Sequence, residues 1–278
     1  MAMRQLEHQY LTGQLRDTFP GLFAAFERAN ARILSDLDWQ LNVPYGRDPR
    51  ETFDLCRAPA LALGTVLFFH GGYWQSRDKS QFRFMAGAWA KAGFNVALAG
   101  YRLCPDISVR DLTASIQAVP LAVVHALPAT QRNLPIILAG HSAGAHLAIE
   151  LALAWKTRNP ATATLAGVVA ISGIYDLTPL VPTTLNERLR LDLSQARQCS
   201  PIFRVQGGIS PAAFLVGGAE TPAFLRQSRE MAEHWAAHGN SATYQALYGQ
   251  DHFSVLAMLT ADHGPLAEQA LAFISRPG

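Results

Sequence analysis

The stretch PIILAGHSAGAHLAIELALAW, residues 135–155, joins a short apolar run to an apolar helical pattern through a turn of small residues. Its centre, Gly140 to Gly144, reads GHSAG and matches the pattern G-x-S-x-G. A tight turn between a strand and a helix strains the backbone of the central serine and exposes its Oγ at the sheet edge. The match alone is a weak signal, because a serine in an ordinary glycine-rich turn gives the same letters. The flanking strand and helix favour Ser142 as a nucleophile.

Apolar runs and helical patterns alternate along the rest of the chain. Short continuous apolar runs are typical of parallel strands that are covered on both faces. Residues 221–239 have a helical pattern with Gly239 as a C-cap. A second helical face has apolar residues at i, i+4, i+7 and i+11: Leu112, Ile116, Val119 and Val123. The alternation predicts a mostly parallel central sheet with helices on both faces. The predicted strands are residues 65–69, 94–99, 135–139, 167–171, 212–216 and 242–248.

The chain is predicted to form a single domain over residues 1–278, because it contains no internal repeat, low-complexity tract or Gly/Ser-rich linker. Residues 1–37 are a predicted N-terminal helical extension, with an amphipathic helix marked by Leu22, Phe26, Ala29 and Ile33. Residues 177–201, with a helical pattern at 186–197, are a predicted cap-like insertion above the carboxyl edge of the sheet, where α/β proteins bind ligands. Each segment either shapes a pocket or only covers the core.

The composition favours a protein with a large buried core. Apolar residues make up 49% of the 278 residues and charged residues only 16%, whereas about a quarter of an average soluble chain is charged. The formal charge of +2 and the lack of a basic run argue against nucleic-acid binding. No run of about eighteen apolar residues is present, so no membrane span is expected, and the first residues contain no apolar signal-peptide core.

Three cysteines, Cys56, Cys104 and Cys199, are odd in number and lie far apart in the sequence. This spacing suits neither a disulfide framework nor a metal cluster, and it is typical of reduced cysteines in a cytoplasmic protein. We therefore expect a cytoplasmic protein that acts on a small molecule without a metal or cofactor. A homodimer is left open.

A second glycine-rich motif, HGGYW at residues 70–74, directly follows the predicted strand at 65–69. It is similar to the HGGG-type loop, whose backbone amides face the reacting carbonyl in acyl-transfer enzymes. Acyl transfer builds negative charge on an oxygen atom, and preorganised N–H donors stabilise that charge. The predicted donors of this oxyanion hole are the amides of Gly71, Gly72 and Ala143. An ordinary turn is the alternative role for the two glycines.

A serine nucleophile needs a general base, and in a sheet of this kind the chain order is serine, acid, histidine. His252 lies in the sequence GQDHF, in a loop that follows the predicted strand 242–248. A loop just past the last strand places an imidazole beside Ser142, so His252 is the predicted base. Four other histidines are weaker candidates because they lie in helical patterns, at a helix start or next to the nucleophile: His234, His238, His263 and His146.

The acid of the predicted triad is Glu220, the one carboxylate in the loop 217–222 after the strand 212–216. It would accept the Nδ1–H of His252, fix the tautomer and stabilise the imidazolium. A charge in the first turn of a helix is the structural alternative for this residue. The competing carboxylates follow the previous strand, lie in the insertion or adjoin the histidine: Asp176, Asp192 and Asp251.

With these residues assembled, the sequence resembles the kynurenine formamidases, or arylformamidases, and their bacterial relatives in the hormone-sensitive-lipase-like branch of the α/β hydrolases. The resemblance extends from about residue 6 to the last predicted helix. An aromatic residue in place of the third glycine of HGGG is characteristic of this branch. The motifs that carry the resemblance are HGGYW (70–74), YRLCP (101–105), GHSAGAH (140–146), ISGIYDL (171–177), PAFLRQS (222–228) and DHF (251–253).

The resemblance implies an α/β-hydrolase fold and the hydrolysis of an aryl formamide such as N-formylkynurenine. The eukaryotic members of the family carry aspartate where this chain has Glu220, so a carboxylesterase for short-chain esters is the alternative. A non-catalytic binding protein on a hydrolase fold is a remote alternative, since the residues needed for catalysis are present. Tyr73 and Trp74 are candidates for the wall of an aromatic leaving-group pocket, although packing over the loop is at least as favoured.

Overall fold

One mixed sheet runs through the residues that the structure, a computed structural model, describes: 3–158, 163–261 and 264–275. Its strands are β1 (Trp39–Pro44), β2 (Thr52–Cys56), β3 (Gly64–Phe69), β4 (Phe94–Ala99), β5 (Ile136–His141), β6 (Leu165–Ile171), β7 (Ala212–Gly217) and β8 (Ala242–Leu247). They lie in the order β1-β2-β4-β3-β5-β6-β7-β8. β2 is antiparallel to both of its neighbours, and all the other strand pairs are parallel.

The six strands predicted from the sequence are confirmed as β3 to β8, with ends that differ by one or two residues. The two N-terminal strands were not predicted. β1 is an edge strand with mostly exposed side chains, so it lacks a continuous apolar run. β2 contains the fully buried Asp54, whose charge is paired with Lys79 at 3.3 Å and Arg83 at 2.7 Å. These partners lie far along the chain, so the local pattern of β2 does not reveal why a carboxylate is tolerated there.

Helices cover both faces of the sheet, as predicted. Side chains alternate along each strand, so that Leu67 and Phe69 of β3 enter one hydrophobic core while Val66 and Phe68 enter the other. The helices are α1 (Met3–Tyr10), α2 (Phe19–Asp36), α3 (Ala86–Lys91), α4 (Val109–Ser115), α5 (Val119–Ala126), α6 (Ala143–Arg158), α7 (Asn186–Leu189), α8 (Leu193–Gln198), α9 (Pro222–Ala237), α10 (Ser254–Thr260) and α11 (Pro265–Ile274). In the described part of the chain, none of them is long and apolar enough to span a membrane.

The predicted helical faces are buried, but one helix is broken. The apolar positions from Leu112 to Val123 all face the core, yet they belong to α4, a short 3-10 turn and α5. Pro120 explains the break, because it has no N–H to donate to the carbonyl four residues earlier. The prediction for residues 221–239 is confirmed as α9, and Gly239 follows its end with a φ of 78°.

Residues 177–201 lie between β6 and β7 and contain α7 and α8 rather than one helix. Arg190, with a φ of 54°, ends α7, and Asp192 caps α8 by accepting the amide hydrogen of Gln195 at 2.7 Å. The segment contacts the loop after β3, because Gln75 Nε2 donates to the carbonyl oxygen of Leu185 at 2.8 Å. It therefore lies at the carboxyl edge of the sheet, and its action as a cap stays a prediction.

A close approach of α6 to β3 depends on Gly144. A Cβ atom at this position would lie 2.0 Å from the carbonyl oxygen of Phe69 and 2.6 Å from that of His70. We expect Gly144→Ala to destabilise the protein by about 3 kcal/mol, the upper end of the usual overpacking cost, because the clash is with backbone. The matched control is Gly21→Ala in α2, where a Cβ meets nothing within 4 Å. The control should be neutral or stabilising by about 0.5–1 kcal/mol. Urea unfolding of both variants tests this, and equal stability would contradict it.

Candidate active site

Ser142 lies at the turn between β5 and α6, where the sequence pattern places it. Its φ is 56°, in the left-handed region that few non-glycine residues adopt. Its amide donates to the carbonyl oxygen of Ile171 at 2.8 Å, which ties the turn to β6. The flanking glycines are required by space, since a Cβ on Gly140 would lie 2.1 Å from the carbonyl oxygen of Gly144. The local sequence thus forces Ser142 into this strained turn.

The loop after β3 lies directly against the turn of Ser142. A Cβ on Gly71 would be 3.0 Å from Cβ of Ser142, so a larger residue there would press against the serine turn. Gly72 has a φ of 122°, and a Cβ there would lie 2.3 Å from the carbonyl oxygen of Ser76. Within the described residues, the amides of Gly71, Gly72 and Ala143 donate no hydrogen bond. The amides of all three predicted oxyanion donors are therefore free. Gly71 packs against Ser142 and Ala143 follows it in the chain, and the role of the three amides as an oxyanion hole stays a prediction.

The two aromatic residues of the same loop have different environments. Trp74 is fully buried, and its ring makes an edge contact with the ring of His146 at 5.0 Å. Tyr73 is half-buried, and its hydroxyl donates to the carbonyl oxygen of Tyr10 in α1. The position of Trp74 is that of a core residue, as the packing alternative expects. Contact of either ring with a substrate stays a prediction.

Glu220 and His252 form a buried pair at the carboxyl ends of β7 and β8. Nδ1 of His252 donates to Oε2 of Glu220 at 2.7 Å, and both residues are about 5% exposed. Because Nδ1 is engaged, Nε2 on the other side of the ring is the nitrogen left for a substrate or a nucleophile. Among the described residues, the carboxylate accepts hydrogen bonds from His252, from Gln14 Nε2 at 3.0 Å, from the amide of Gly217 at 2.9 Å and from the hydroxyl of Ser172.

The histidine loop is fixed against the serine turn by His141. Its Nε2 donates to the carbonyl oxygen of His252 at 2.8 Å, and the two ring centroids are 4.6 Å apart. Burial and the neighbouring His252 hold the pKa of His141 well below its ordinary value, so the ring is neutral. Oγ of Ser142 has no hydrogen-bond partner among the residues described. The structure thus brings the loops of Ser142 and His252 together without a direct bond between their side chains.

The competing residues are engaged elsewhere. Asp176 and Asp251 accept the amide hydrogens of residues that follow them, at 2.9 Å and 2.8–2.9 Å respectively, and so cap a turn and the start of α10. His234 and His238 are exposed on α9, and buried His146 donates through Nε2 to the carbonyl oxygen of Cys199 at 2.8 Å. Asp192 caps α8, as described above, and His263 lies outside the described residues.

Three residues of the site were not predicted from the sequence. His141 is the last residue of β5 and Ser172 directly follows β6, and that position at the carboxyl edge of the sheet was an available signal. Gln14 lies in a short 3-10 turn after α1, 206 residues from Glu220, and its neighbours give no signal.

A metal ion or a reactive thiol needs its own arrangement of side chains. No group of three or more His, Cys, Asp or Glu side chains that could hold a metal ion occurs in residues 3–158, 163–261 and 264–275. The cysteines Cys56, Cys104 and Cys199 are free and buried. Burial raises the pKa of each thiol, to about 11 or 12, so none is a thiolate near neutral pH.

The fold and the serine turn define a hydrolase class, and comparisons agree. A family described as the alpha/beta hydrolase fold matches residues 66–256, and the chain belongs to this family. The chain is similar to the kynurenine formamidase of Danio rerio, with 29% identity over 99% of this chain and 98% of that protein. The kynurenine formamidase of Drosophila melanogaster is 25% identical over 70% of this chain and 68% of that protein. The chain is thus a kynurenine-formamidase-like α/β hydrolase.

Solved structures show the same architecture. A protein from Silicibacter sp. TM1040, for which thioesterase activity has been suggested, has a TM-score of 0.85 and 30% identity over 98% of this chain and 99% of that one. An esterase from Pyrobaculum calidifontis has a TM-score of 0.74 and 18% identity over 98% of this chain and 95% of that one. The second likeness concerns the fold alone.

Three buried histidines next to the site predict a loss of stability in acid. Burial lowers the pKa of His70 to about 4 and that of His146 to about 3, and it lowers that of His141 as well. In the unfolded chain these histidines bind protons near pH 6.5, whereas in the native state they stay neutral to lower pH. Their contribution to the free energy of unfolding is therefore complete above pH 6.5 and is lost as the pH falls below it. Each histidine contributes up to about 1.4 kcal/mol per pH unit there.

Urea unfolding between pH 8 and pH 5 measures this effect. Below pH 6.5, the slope of the free energy of unfolding against pH should become less steep in His146→Gln, by the equivalent of one bound proton. The slope should stay unchanged in the matched control His234→Gln, whose side chain is exposed. A free energy of unfolding that stays constant down to pH 5 would contradict the prediction.

Proposed function

We propose that this hydrolase removes a small acyl group from an aryl formamide such as N-formylkynurenine, with Ser142, His252 and Glu220 as its catalytic triad. One observation carries the proposal: the buried hydrogen bond of 2.7 Å between His252 and Glu220, in a loop held against the turn of Ser142. A carboxylate-bound imidazole beside a serine on a strained turn is the arrangement that nucleophilic acyl transfer requires. The named activity of the similar fish and fly proteins supports the choice of a formamide.

The proposed reaction begins with attack by Oγ of Ser142 on the formyl carbon. Nε2 of His252 takes the hydroxyl proton, and Glu220 stabilises the imidazolium through Nδ1. A general base often reaches hydrogen-bond distance of the nucleophile only in the substrate complex, so the missing Ser142–His252 bond is compatible with this step. His252 then gives the proton to the leaving arylamine. Water, activated by the same histidine, hydrolyses the formyl ester on Ser142 and releases formate.

The negative charge of the tetrahedral intermediate needs donors that are in place before the reaction. The free amides of Gly71, Gly72 and Ala143 supply them beside Ser142. Strain and close packing at the two glycines hold the amides in position, so little reorganisation is needed when charge develops. These unengaged amides also argue against a non-catalytic binding protein, because an ordinary turn uses its N–H groups internally.

The acyl group is expected to be small. Tyr73 replaces the third glycine of an HGGG-type loop, and its hydroxyl bonds to the backbone of Tyr10, so its ring has a fixed place beside the oxyanion donors. The segment 177–201 contacts the same loop through Gln75. A short-chain carboxylesterase is the second candidate, favoured by Glu220 at the position where the formamidases that the chain resembles carry aspartate.

We also propose that the protein acts in the cytoplasm as a single α/β-hydrolase domain. Three free, buried cysteines support a reducing compartment, where thiols persist without pairing. The single domain is supported by one continuous sheet and by the packing of both ends of the described chain around it, since α1 contacts α9 and α11 contacts β6.

A substrate panel tests the proposed reaction. We expect kcat/KM to be highest for N-formylkynurenine, lower for p-nitrophenyl acetate and butyrate, and lower by orders of magnitude from octanoate onwards. Each methylene that does not fit forfeits about 0.8 kcal/mol of transfer energy and adds overpacking strain. Ser142→Ala is the control and should retain only a residual rate from binding and the oxyanion hole. A maximum at octanoate or longer would overturn the formamide assignment, and wild-type turnover by Ser142→Ala would remove the serine mechanism.

The acid is tested by Glu220→Gln. A neutral amide stabilises the imidazolium poorly and permits the wrong tautomer, so kcat should fall by up to about 10⁴-fold, less than in Ser142→Ala. Asp176→Asn and Asp251→Asn are matched controls because each amide oxygen can still accept the capping hydrogen bonds. Their kcat should stay near that of the wild type. Full activity of Glu220→Gln together with an inactive Asp251→Asn would reassign the acid.

A further inference from the structure

Gln14 reaches the acid of the proposed triad from the N-terminal extension. Its Nε2 donates to Oε2 of Glu220 at 3.0 Å, the same oxygen that accepts Nδ1–H of His252 at 2.7 Å. The side chain is buried, with 6% exposure. Buried side-chain amides nearly always form hydrogen bonds, and here the bond goes to the carboxylate oxygen that also accepts from His252.

We propose that Gln14 is a positioning residue that orients the carboxylate of Glu220 and lowers its proton affinity, so that it sets the basicity of His252. The inference rests on the proposed function, because it assigns to His252 the part of the base. It makes the N-terminal extension a component of the catalytic apparatus rather than a cover of the core.

Gln14 is itself held at both ends of its amide group. Its Oε1 accepts the amide hydrogen of Thr221 at 3.3 Å. The side chain therefore binds both the backbone of the loop and the carboxylate of Glu220. Gln9 bonds the same loop and the start of α9: its side-chain Oε1 accepts the amide hydrogen of Ala223 at 2.9 Å, and its backbone carbonyl oxygen accepts the hydroxyl hydrogen of Thr221 at 2.6 Å. Arg16 donates to the carbonyl oxygen of Ala219 at 2.8 Å. The extension therefore stays docked on this loop when one of these side chains is changed.

The effect of Gln14 on the carboxylate follows from how its two oxygens are shared. Oε1 is held by Gly217 and Ser172, which leaves Oε2 to His252 and Gln14. A neutral donor to Oε2 spreads the negative charge and reduces the attraction of this oxygen for the Nδ1–H proton. It also prevents rotation of the carboxylate away from the imidazole. Without it, Oε2 becomes more basic, imidazolium is favoured, and the geometry of the pair loosens.

The test compares Gln14→Leu with Gln9→Leu, the same substitution on the same segment at a residue that does not touch the carboxylate. In Gln14→Leu we expect kcat to fall about 10- to 100-fold with KM changed less than about twofold. The acid limb of kcat/KM against pH should move up by about half to one pH unit, because neutral His252 is then harder to form. Gln9→Leu should lower Tm by a similar amount and leave the pH profile in place.

A second variant decides the matter if Gln14→Leu folds poorly. Gln14→Glu keeps the shape of the side chain, and its protonated carboxyl keeps a donor for Oε2 of Glu220. Activity should persist at low pH, where the carboxyl group introduced at position 14 and that of Glu220 share one proton. It should fall as the pH rises and the pair loses that proton. A merely structural role predicts no such new limb in the pH profile.

The possible failures are distinguishable. If the wild type hydrolyses neither formamides nor esters in a Ser142-dependent way, the proposed function is wrong. If the wild type is active and Gln14→Leu shows the kcat and pH profile of Gln9→Leu, the positioning role of Gln14 is wrong while the proposed function stands.

Discussion

The carboxylate of Glu220 is the charge around which the carboxyl edge of this molecule is arranged. An ionised carboxyl group in an apolar interior is costly unless several donors replace the lost water. Here the donors come from four separate parts of the chain: the end of β7, the residue after β6, the loop after β8 and the turn after α1. Satisfying this one group therefore adds a further constraint on segments that the sheet and the docked N-terminal extension already bring close together.

The serine turn is fixed by a different constraint, which is steric rather than electrostatic. Close contacts at Gly140 and Gly144 pack β3, β5 and α6 so tightly that no Cβ fits there, and a Cβ on Gly71 would lie only 3.0 Å from Cβ of Ser142. This packing places the loop after β3 against the serine turn, while the hydrogen bond of Glu220 holds the side chain of His252. His141 connects the two arrangements, because it precedes the serine and bonds to the backbone of His252. A rigid glycine framework and a charge-centred network thus meet at one histidine.

The sequence predicted whatever is encoded locally or by chain order. The parallel strands and the serine turn have local patterns, and the order of strands and loops placed Glu220 and His252 where the structure pairs them. Gln14 was not predictable, because its partner is 206 residues away and a glutamine after a short helix has many ordinary roles. β2 was missed for a similar reason, since its buried Asp54 depends on ion pairs with residues more than twenty positions away, and β1 was missed because it is an exposed edge strand without an apolar run. A hydrogen bond or ion pair between residues far apart in the sequence leaves no trace in the local pattern of apolar residues.

Four non-glycine residues around the site have left-handed backbones: Tyr73, Trp74, Ser142 and Ser172. Such conformations cost on the order of 1–3 kcal/mol each, and they persist only where surrounding packing enforces them. Their sum approaches the whole net stability of a typical domain. The apolar cores on the two faces of the sheet must therefore contribute enough free energy of folding to offset this strain, and that part of their contribution does not appear in the net stability of the protein. Substitutions that relieve this strain would raise the heat resistance of the protein, but they would disturb the residues that hold the proposed nucleophile, the loop of Tyr73 and Trp74, and a hydrogen-bond donor of Glu220.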